Sequence, residues 1–326
     1  MERAADNVVP LHAAPGGDPN RETRIRAAWI YYVEGRTQNE VGQQLGLNRV
    51  AVTRLLSEAR RRGEVSVRVT SEIASLVELE RALEGRYGLR RAVVAPWSDP
   101  AADPLPAIAA AAGRYVGTLL GHGMTIGVGW GRTLHAMLHH LEPRPMRDMR
   151  VVSLLGGISE ARRFNPADFA WQFAEMFDAE GYLVPAPALV DSPATRHALL
   201  ERCGLDQVFQ TAEASDVALV SCGSVSSLTT SYRLGHLTED ERASLREAGA
   251  VGDVLYNFVG EDGAVLDHSI NRRSVSMGLD RLQRIEERVL LSGGPDKREI
   301  MPAAIRCVRP TSLVTDEHSA RRLLDR

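Results

Sequence analysis

Hydrophobic and polar residues follow two different patterns along this chain. Up to about residue 88 the apolar residues recur at helical spacing, whereas from about residue 89 short β-rich runs alternate with helical stretches. The β-rich runs cover residues 91–96, 124–130, 150–157, 216–223, 288–294 and 311–317. The helical stretches include residues 105–121, 132–141, 167–180 and 239–249. Apolar strands separated by helices predict an α/β domain with a parallel sheet covered on both faces.

The same patterns divide the chain into four segments. Residues 1–20, rich in proline and glycine, are expected to form a disordered arm. A helical unit over 21–70, a linker helix over 71–88 and a large domain over 89–326 are predicted to follow. A length of 326 residues with 44% hydrophobic content is sufficient for two domains.

Residues 38–57 have the pattern of a helix-turn-helix. Gly42 has no side chain, so two crossing helices can approach each other there, and Gly46 can take the positive φ of a tight turn. Thr37 and Asn48 are suited to cap the two helices because their side-chain oxygens accept backbone N–H bonds. The small shared core is expected to contain Val41, Leu45, Val52 and Leu55.

Flanking segments extend the helix-turn-helix on both sides. Residues 21–34 are predicted to form a preceding helix, and residues 65–70 alternate like a short strand, or wing, after Gly63 ends the second helix. The inward residues of the preceding helix are expected to be Ile25, Ala28, Trp29 and Tyr32.

The outward face of the second helix is suited to the major groove of operator DNA. Its arginines can bond guanine edges or phosphates, its threonine can contact a phosphate or a thymine methyl, and its valine can contact a thymine methyl. Residues 21–70 contain ten Arg and five Glu, a local charge of about +5, whereas the whole chain has a net charge of −3. An arginine-rich surface with a chance hairpin is the alternative, but the filled motif favours DNA binding. The residues predicted to contact double-stranded DNA are Asn48, Arg49, Val50, Thr53, Arg54, Arg60, Arg61 and Arg62.

Composition excludes several other classes. The three cysteines are widely spaced and form no CxxC motif, so neither a disulfide framework nor a metal site is predicted, and no cofactor is expected. No apolar run approaches the length of a membrane span, and residues 1–20 lack the order of a signal peptide. We therefore expect a cytoplasmic protein.

The predicted linker helix carries a leucine stripe over residues 72–87. Leu76, Leu79 and Leu83 recur at i, i+3 and i+7. The stripe either belongs to a core or pairs two subunits. Pairing is attractive because two operator half-sites require two recognition helices, and a homodimer or homotetramer is therefore expected.

Glycine-rich segments end several predicted strands, where ligands bind in parallel sheets. In GVGWGRT (127–133) the strand leads into a helix that starts near Arg132, which favours an anion at the helix N-terminus. The alternative is a tight strand-to-helix turn. SGGPDK (292–297) brings Lys297 to the same edge. Lys297 is the sole lysine among 39 basic residues, and a coding bias towards arginine accounts for most of this imbalance. The predicted effector contacts here are Gly129, Gly131, Arg132, Thr133, Gly293, Gly294 and Lys297.

A third segment covers residues 249–273. Residues 254–259 and 264–266 are predicted to be two strands joined through Gly260 and Gly263. Carboxylates, an amide and a guanidinium in this segment suit sugar hydroxyls, and Asp253 and Asp267 are predicted to contact the effector. Alternatively, Asp253 caps or stabilises a turn. The polar residues concerned are Asp253, Asn257, Asp267, His268 and Arg272.

Taken in order, these motifs resemble the SorC family of bacterial sugar-binding transcriptional regulators from about residue 22 to the end. The family implies a winged helix-turn-helix followed by an effector domain that resembles the sugar-phosphate isomerase and glucosamine-phosphate deaminase fold. It also implies a phosphorylated sugar or polyol that shifts a dimer or tetramer on its operator. The motifs are TRLLSEARRRG, GVGWGRT, VVSLLGG, DVALVSCG, AGAVGDVLYNF, LLSGGPDKREIMPAAIR and LVTDEHSARRLL.

Some individual positions match the family's pattern, and others depart from it. Residues 131–133 match the family's phosphate loop, Asp253 its acidic position and Lys297 its lysine. Trp130 and Arg132 stand where many members have a glycine-serine-threonine loop, and residues 221–223 replace a more usual glycine-isoleucine-glycine run. SYRLGHLTEDE, DVLYNF and DHSINRR are similar to erythritol-catabolism regulators, which suggests a four-carbon polyol or its phosphate.

The competing class is an enzyme that acts on a sugar phosphate, since the large domain resembles such folds. An isomerase or deaminase needs a positioned general base with an acid partner, and no such set can be assembled from the sequence. Fold alone does not decide function. The sequence therefore predicts a regulator of carbohydrate or polyol catabolism, with no catalytic residues.

Overall fold

The computed structural model describes residues 20–65, 74–97, 101–158, 165–225 and 237–325. The chain divides into two compact units, Met1–Thr70 and Ser71–Arg326. The predicted arm over residues 1–19 and the predicted wing beyond Val65 lie outside the described residues.

The first unit is built from three helices with clear end signals. Thr37 accepts a hydrogen bond from the backbone of Glu40, whose side chain in turn accepts from Thr37 N–H, a complete capping box. Gly46, with φ of 67°, ends the second helix, and Asn48 accepts from Ala51 N–H at 2.8 Å. Both predicted caps and the glycine turn are confirmed. The helices are Arg21–Tyr32 (α1), Gln38–Leu45 (α2) and Arg49–Arg61 (α3).

The core of this unit differs from the prediction in two respects. Ile25 and Trp29 were expected inside, but they are 40% and 59% exposed. Leu56 is buried, whereas Leu55 is only partly buried, because the inward face of α3 follows the i, i+4, i+7 row. A Cβ at Gly42 would lie 2.5 Å from the Leu47 carbonyl oxygen, so that close approach is to the turn. The buried apolar residues are Ala27, Ala28, Val41, Val52, Leu56 and Ala59.

The second unit contains a seven-stranded sheet in which every neighbouring pair is parallel, as the strand pattern predicted. Its strand order is β1-β10-β9-β5-β2-β3-β4, and β6, β7 and β8 form a small antiparallel sheet. The strands are Arg91–Ala95 (β1), Thr125–Val128 (β2), Arg150–Gly157 (β3), Glu180–Pro187 (β4), Val217–Val220 (β5), Cys222–Ser224 (β6), Gly252–Val254 (β7), Asn257–Val259 (β8), Glu287–Leu291 (β9) and Ser312–Asp316 (β10).

Helices connect these strands and cover the sheet. The α-helices are Ala74–Tyr87 (α4), Leu105–Leu119 (α5), Arg132–Leu138 (α6), Pro166–Met176 (α7), Pro193–His197 (α8), Asp206–Glu213 (α9), Glu239–Glu247 (α10), Ser269–Arg273 (α11), Leu279–Leu282 (α12), Ile300–Val308 (α13) and Glu317–Leu324 (α14). Ala198–Arg202 forms a π-helical turn and Pro295–Lys297 a 3₁₀ turn. Strand residues alternate between two hydrophobic clusters: Val289 and Leu291 belong to one, and Leu290 belongs to the other. The sheet is therefore covered on both faces.

The leucine stripe of α4 belongs to the core of this unit. Leu83 is fully buried and Leu79 nearly so. Glu80 and Glu84, on the same helix, accept backbone N–H bonds from β1 at 2.9 and 3.0 Å. These contacts fix α4 against the sheet, and the core interpretation of the stripe is correct.

The polar hairpin was predicted with the wrong turn. Leu255 and Tyr256 have φ of 53° and 57°, so the chain reverses between β7 and β8, inside the segment 254–259 that was expected to be one strand. The predicted strand 264–266 is reduced to a single bridge between Val259 and Val265. The pattern of apolar residues did not predict this turn, because its two central residues, Leu255 and Tyr256, are themselves apolar or aromatic.

Two further strand boundaries were also mispredicted. The run 216–223 divides between β5 and β6, which belong to different sheets. β4 was not predicted as a strand, since its start had been assigned to the helix 167–180, whereas α7 ends at Met176. β4 is an edge strand with mostly exposed or half-buried residues, so it lacks the apolar run typical of a central strand.

Candidate effector cleft and DNA-binding surface

A cleft opens at the carboxyl ends of β2, β5 and β9 in the second unit. From β2 the chain continues to β3 and β4 on one side, and it then returns to β5 on the other side. The strand order therefore reverses at this point of the sheet, where ligands bind in such folds. The cleft contains about 790 Å³ of empty space, part of it open to solvent. Its lining residues are Asp103, Pro104, Leu105, Ile108, Trp130, Gly131, Arg132, Thr133, Ser221, Cys222, Gly223, Asp253, Gly293, Gly294, Pro295, Asp296 and Lys297.

The first wall is the turn from β2 into α6. Gly131, with φ of 134°, precedes the helix, and this backbone conformation favours glycine. The Arg132 Nη2 atom lies 3.0 Å from Asp103 Oδ2, and both side chains are about half exposed. Trp130 is mostly buried and stacks on Tyr256, with ring centroids 5.6 Å apart. This wall therefore combines an aromatic surface with a paired guanidinium.

The second wall is the glycine turn after β9. Gly294 N–H donates to the fully buried Asp316 carboxylate at 2.7 Å, and a Cβ at Gly293 would collide with the same carboxylate. Glycine is therefore required for this backbone to approach Asp316. Lys297 follows in a 3₁₀ turn, with its Nζ 3.3 Å from Asp296 Oδ2 and only 17% of its side chain exposed.

Asp253 lies at the inner end of the cleft. It is 5% exposed, and its Oδ2 accepts the Tyr256 N–H at 2.9 Å, which closes the β7–β8 turn. Burial raises the pKa of this carboxyl to about 6, against the lowering effects of that hydrogen bond and of the Lys297 charge. A Cβ at Gly223 would collide with Asp253 Oδ1, so the neighbouring strand needs glycine. The carboxylate thus supports the turn and also faces the cleft.

Cys222 contributes a buried thiol to the same cleft. Its Sγ donates to Ser292 Oγ at 3.2 Å, and burial raises the pKa of the thiol to about 11. The thiol therefore stays protonated at neutral pH and is a poor nucleophile. Among the described residues, no group of His, Cys, Asp and Glu side chains could hold a metal ion. No helix that the structure describes has the length and apolar character to cross a membrane.

The exposed face of α3 carries the residues predicted to contact DNA. Val50 is 78% exposed, and Arg49, Thr53 and Arg54 are also exposed. The Thr53 hydroxyl lies 2.9 Å from Gln38 Oε1 of α2 and the same distance from the Arg49 carbonyl oxygen. The face thus presents guanidinium and hydroxyl donors beside an apolar side chain, a combination that can read base edges.

The arginines that follow differ in their pairing. Glu58 accepts from Arg61 and from Arg62, and these two hydrogen bonds lower the pKa of Glu58 to about 2. Within the described part of the first unit, Arg54 and Arg60 have no ion pair. The positive charge at the end of α3 is therefore partly neutralised by its own helix.

Residues 71–325 match the family described as "Putative sugar-binding domain". The Erythritol catabolism regulatory protein EryD of Brucella abortus is 31% identical over 94% of this chain and 98% of its own. The chain belongs to the SorC family of sugar-binding transcriptional regulators. The Deoxyribonucleoside regulator of Bacillus subtilis is 29% identical over 94% of this chain and 98% of its own. The crystal structure of the full-length sorbitol operon regulator SorC from Klebsiella pneumoniae has a TM-score of 0.70 at 26% identity, covering 93% and 98% of the two chains.

These relatives confirm the predicted family and function. This SorC-family chain is a transcriptional regulator with an N-terminal DNA-binding unit and a larger α/β sugar-binding unit. The cleft lies entirely within the segment that matches the sugar-binding family.

The structure brings most of the predicted effector residues together, but not all. Gly131, Arg132, Thr133, Asp253, Gly293, Gly294 and Lys297 line the cleft of this regulator. Gly129 does not: its N–H donates to the Leu219 carbonyl inside the sheet. Asp267 is also outside, with 91% of its side chain exposed and an ion pair to Arg272. Asp267 comes two residues after the Val259–Val265 bridge, at a point where the chain lies at the surface and not at the cleft.

Several cleft residues were missed. Asp296 stands inside the quoted SGGPDK motif, and Ser221, Cys222 and Gly223 follow β5 at the ligand-binding edge, so position alone was a usable signal for them. Asp103 gave no such signal, because its segment lies between β1 and α5 and carries no glycine motif.

Proposed function

We propose that this regulator binds operator DNA through the exposed face of α3. Arg49 and Arg54 reach base edges or phosphates, Val50 contacts a thymine methyl, and Thr53 and the Asn48 end of the helix contact the backbone. Arg60, Arg61 and Arg62 bind phosphates without sequence preference. The exposed, partly unpaired arginines and the local charge of about +5 support this assignment.

We propose further that the cleft binds a small carbohydrate or polyol, or its phosphate, and that this effector controls DNA binding. The observation that carries this proposal is the convergence of Arg132, Asp253 and Lys297 on one cleft at the carboxyl ends of three parallel strands. Guanidinium and ammonium groups donate to hydroxyl or phosphate oxygens, and Asp253 accepts from hydroxyls. Relatives named for erythritol, deoxyribonucleoside and sorbitol operons agree with this ligand class.

The effector acts by shifting a population. It must bind the DNA-competent and the DNA-incompetent arrangements with different affinity, since a ligand with equal affinity for both shifts neither. A ligand that prefers the incompetent arrangement releases the operator, and a ligand that prefers the competent one promotes binding.

Three finer assignments belong to the same proposal. The protein acts as a homodimer or homotetramer, because an operator with two half-sites needs two α3 helices. The buried leucines of α4 are not available for this pairing, whereas Ile25 and Trp29 on α1 and Val33 at its C-cap form an exposed apolar row at i, i+4 and i+8. The protein works in the cytoplasm, where its DNA is, and the cleft binds its ligand without converting it.

Two measurements test the proposal. Selection of duplexes from a random-sequence pool identifies the operator. We expect the half-site motif to be no longer enriched when the selection uses Arg49→Ala or Arg54→Ala. A thermal-shift screen of sugars, polyols and their phosphates identifies the effector, because a ligand that binds only the folded state raises stability. Asp253→Ala should abolish that shift. A Tm increase that Asp253→Ala and Lys297→Ala both leave unchanged would place the pocket elsewhere, and NMR spectra showing ligand turnover would indicate an enzyme.

A further inference from the structure

The charges that line the cleft are already balanced within the protein. Among the described lining residues, Arg132 and Lys297 are the cations, and Asp103, Asp253 and Asp296 are the carboxylates. Each cation has a carboxylate of its own, Asp103 at 3.0 Å from Arg132 and Asp296 at 3.3 Å from Lys297. Two positive and three negative groups give the cleft a formal charge of −1 when every group is ionised.

A fourth carboxylate lies directly behind the cleft. Asp316 is fully buried under the glycine turn, where it accepts from Gly294 N–H and from the Ser319 hydroxyl and N–H. Its Oδ2 lies 2.2 Å from the point that a Cβ of the lining residue Gly293 would occupy, so no side chain fits between that residue and the carboxylate. The low-dielectric surroundings that strengthen attraction for a cation equally strengthen repulsion of an anion.

This balance sets different conditions for neutral and anionic ligands. A phosphate dianion must either displace Asp103 and Asp296 from their cations or add two charges to a cleft that is already negative. A polyol meets neither requirement, because each hydroxyl can donate to a carboxylate and accept from the neighbouring cation without breaking the ion pair. Trp130, which is 8% exposed, lines the cleft with apolar surface that can contact the C–H groups of such a ligand.

We infer that the cleft selects an uncharged polyhydroxy compound over its phosphate ester, and that Asp103 and Asp296 determine this selectivity. The inference rests on the proposed function, since it concerns the same cleft. Asp103 and Asp296 act as internal anions that occupy the positions a phosphate would otherwise take beside Arg132 and Lys297.

The test is calorimetric titration of the full chain at pH 7.5 in a buffer without phosphate. Four- to six-carbon polyols and aldoses are titrated, each beside its own monophosphate, beginning with erythritol and erythritol 4-phosphate and with sorbitol and sorbitol 6-phosphate. We expect the uncharged member of any pair that binds to bind at least about tenfold more tightly.

Asp103→Asn and Asp296→Asn test the cause. Each variant keeps the size of the side chain and one acceptor oxygen but removes its charge and so frees one cation. We expect the affinity for the monophosphate to rise about tenfold, whereas that for the polyol, which loses one carboxylate acceptor, should not rise. Asp240→Asn is the matched control, because Asp240 is exposed on α10, lies outside the cleft and loses the same charge. It should change neither affinity.

The outcomes separate this inference from the proposed function. If the monophosphate binds more tightly to the unmodified protein, or if Asp103→Asn and Asp296→Asn leave its affinity unchanged, the selectivity inference is wrong and the cleft remains an effector site. If no member of any pair binds, the effector part of the proposed function fails, and this inference fails with it.

Discussion

The two units of this protein use their positive charges in opposite ways. On the first unit Arg49, Arg54 and Arg60 project from α3 into solvent without an ion pair among the described residues. In the cleft of the second unit, Arg132 and Lys297 each lie within 3.0 or 3.3 Å of a carboxylate. DNA is a polyanion whose binding depends on unneutralised cations, whereas a polyol needs paired donors and acceptors.

The difference teaches that pairing, rather than the number of basic residues, indicates the kind of ligand. Residues 21–70 have a local charge of about +5, but Arg61 and Arg62 share Glu58 and contribute less field than their number implies. The glycine turns of the cleft resemble anion sites in sequence, and yet both cations among the described lining residues already have an acidic neighbour.

The largest expected effect would break the comparison by unfolding the unit that holds the cleft. Leu83 is fully buried on α4, so Leu83→Glu places an unpaired charge in the core, and we expect it to lower the free energy of unfolding by at least about 4 kcal/mol. Urea unfolding followed by circular dichroism measures this loss.

A position on the same helix provides the control. Val77 is 48% exposed, so Val77→Glu should change the free energy of unfolding by less than about 0.5 kcal/mol. If Leu83→Glu kept the stability of the unmodified protein and only separated subunits, the leucine stripe would be an interface and not part of the core.

Much of the first unit could be predicted because its determinants are local. The caps at Thr37 and Asn48, the turn at Gly46 and the exposed row on α3 all lie within about 20 consecutive residues. Trp29 was misplaced because helical spacing does not reveal which face of α1 is inward. That face consists of Arg24, Ala27 and Ala28, with Arg24 buried in an ion pair to Glu64.

The cleft could be predicted only in part, because parallel strands bring distant segments together. The glycine turns at 129–131 and 293–294 marked the edge of the sheet where the cleft opens, since Gly131 and Gly294 have positive φ and a Cβ at Gly293 would collide with Asp316. Asp103 meets Arg132 across 29 positions, and no local pattern encodes that contact. Asp267 lies outside the cleft with 91% of its side chain exposed, and the sequence pattern did not reveal the turn at Leu255 that precedes it.

The next effect concerns the third carboxylate of the cleft. Burial raises the pKa of Asp253 to about 6 from 3.8, so the folded protein keeps this proton after the unfolded chain has lost it. The free energy of unfolding should therefore fall, through this group, as pH rises from about 4 to about 6, by roughly 3 kcal/mol, and stay level above that. Urea unfolding of the unmodified protein and of Asp253→Asn between pH 4 and 8 measures this contribution as the difference between their free energies of unfolding.

Other groups titrate in the same range, but they cancel in this difference. The stability of the unmodified protein relative to Asp253→Asn should decline as pH rises, while its stability relative to the control Asp240→Asn should not. A pH-independent difference for Asp253→Asn would mean that Asp253 ionises without penalty and that the inner end of the cleft is more solvated than its 5% exposure implies.

Direct comparison of one arginine from each unit gives a smaller effect. Arg54→Ala should weaken binding to the selected operator by about 1 to 3 kcal/mol if the side chain reads a base. Arg132→Ala, in the absence of effector, should leave that affinity within a few-fold, because its guanidinium is already paired with Asp103. Fluorescence anisotropy with labelled operator measures both. Equal losses for the two variants would contradict the division of roles between the units.

The smallest effect sharpens the contrast between paired and unpaired arginines within α3. Glu58→Gln removes the carboxylate that both Arg61 and Arg62 contact, so two guanidiniums become available to phosphates. We expect a few-fold gain in DNA affinity and a steeper dependence on salt, by up to about one unit in the slope of log K against log salt. Since its pKa is about 2, Glu58 itself should cause no change in DNA binding between pH 5 and 8. Glu22→Gln, which frees Arg26 on α1, is the matched control and should leave the slope unchanged. An unchanged slope for Glu58→Gln would show that Arg61 and Arg62 do not reach the DNA backbone.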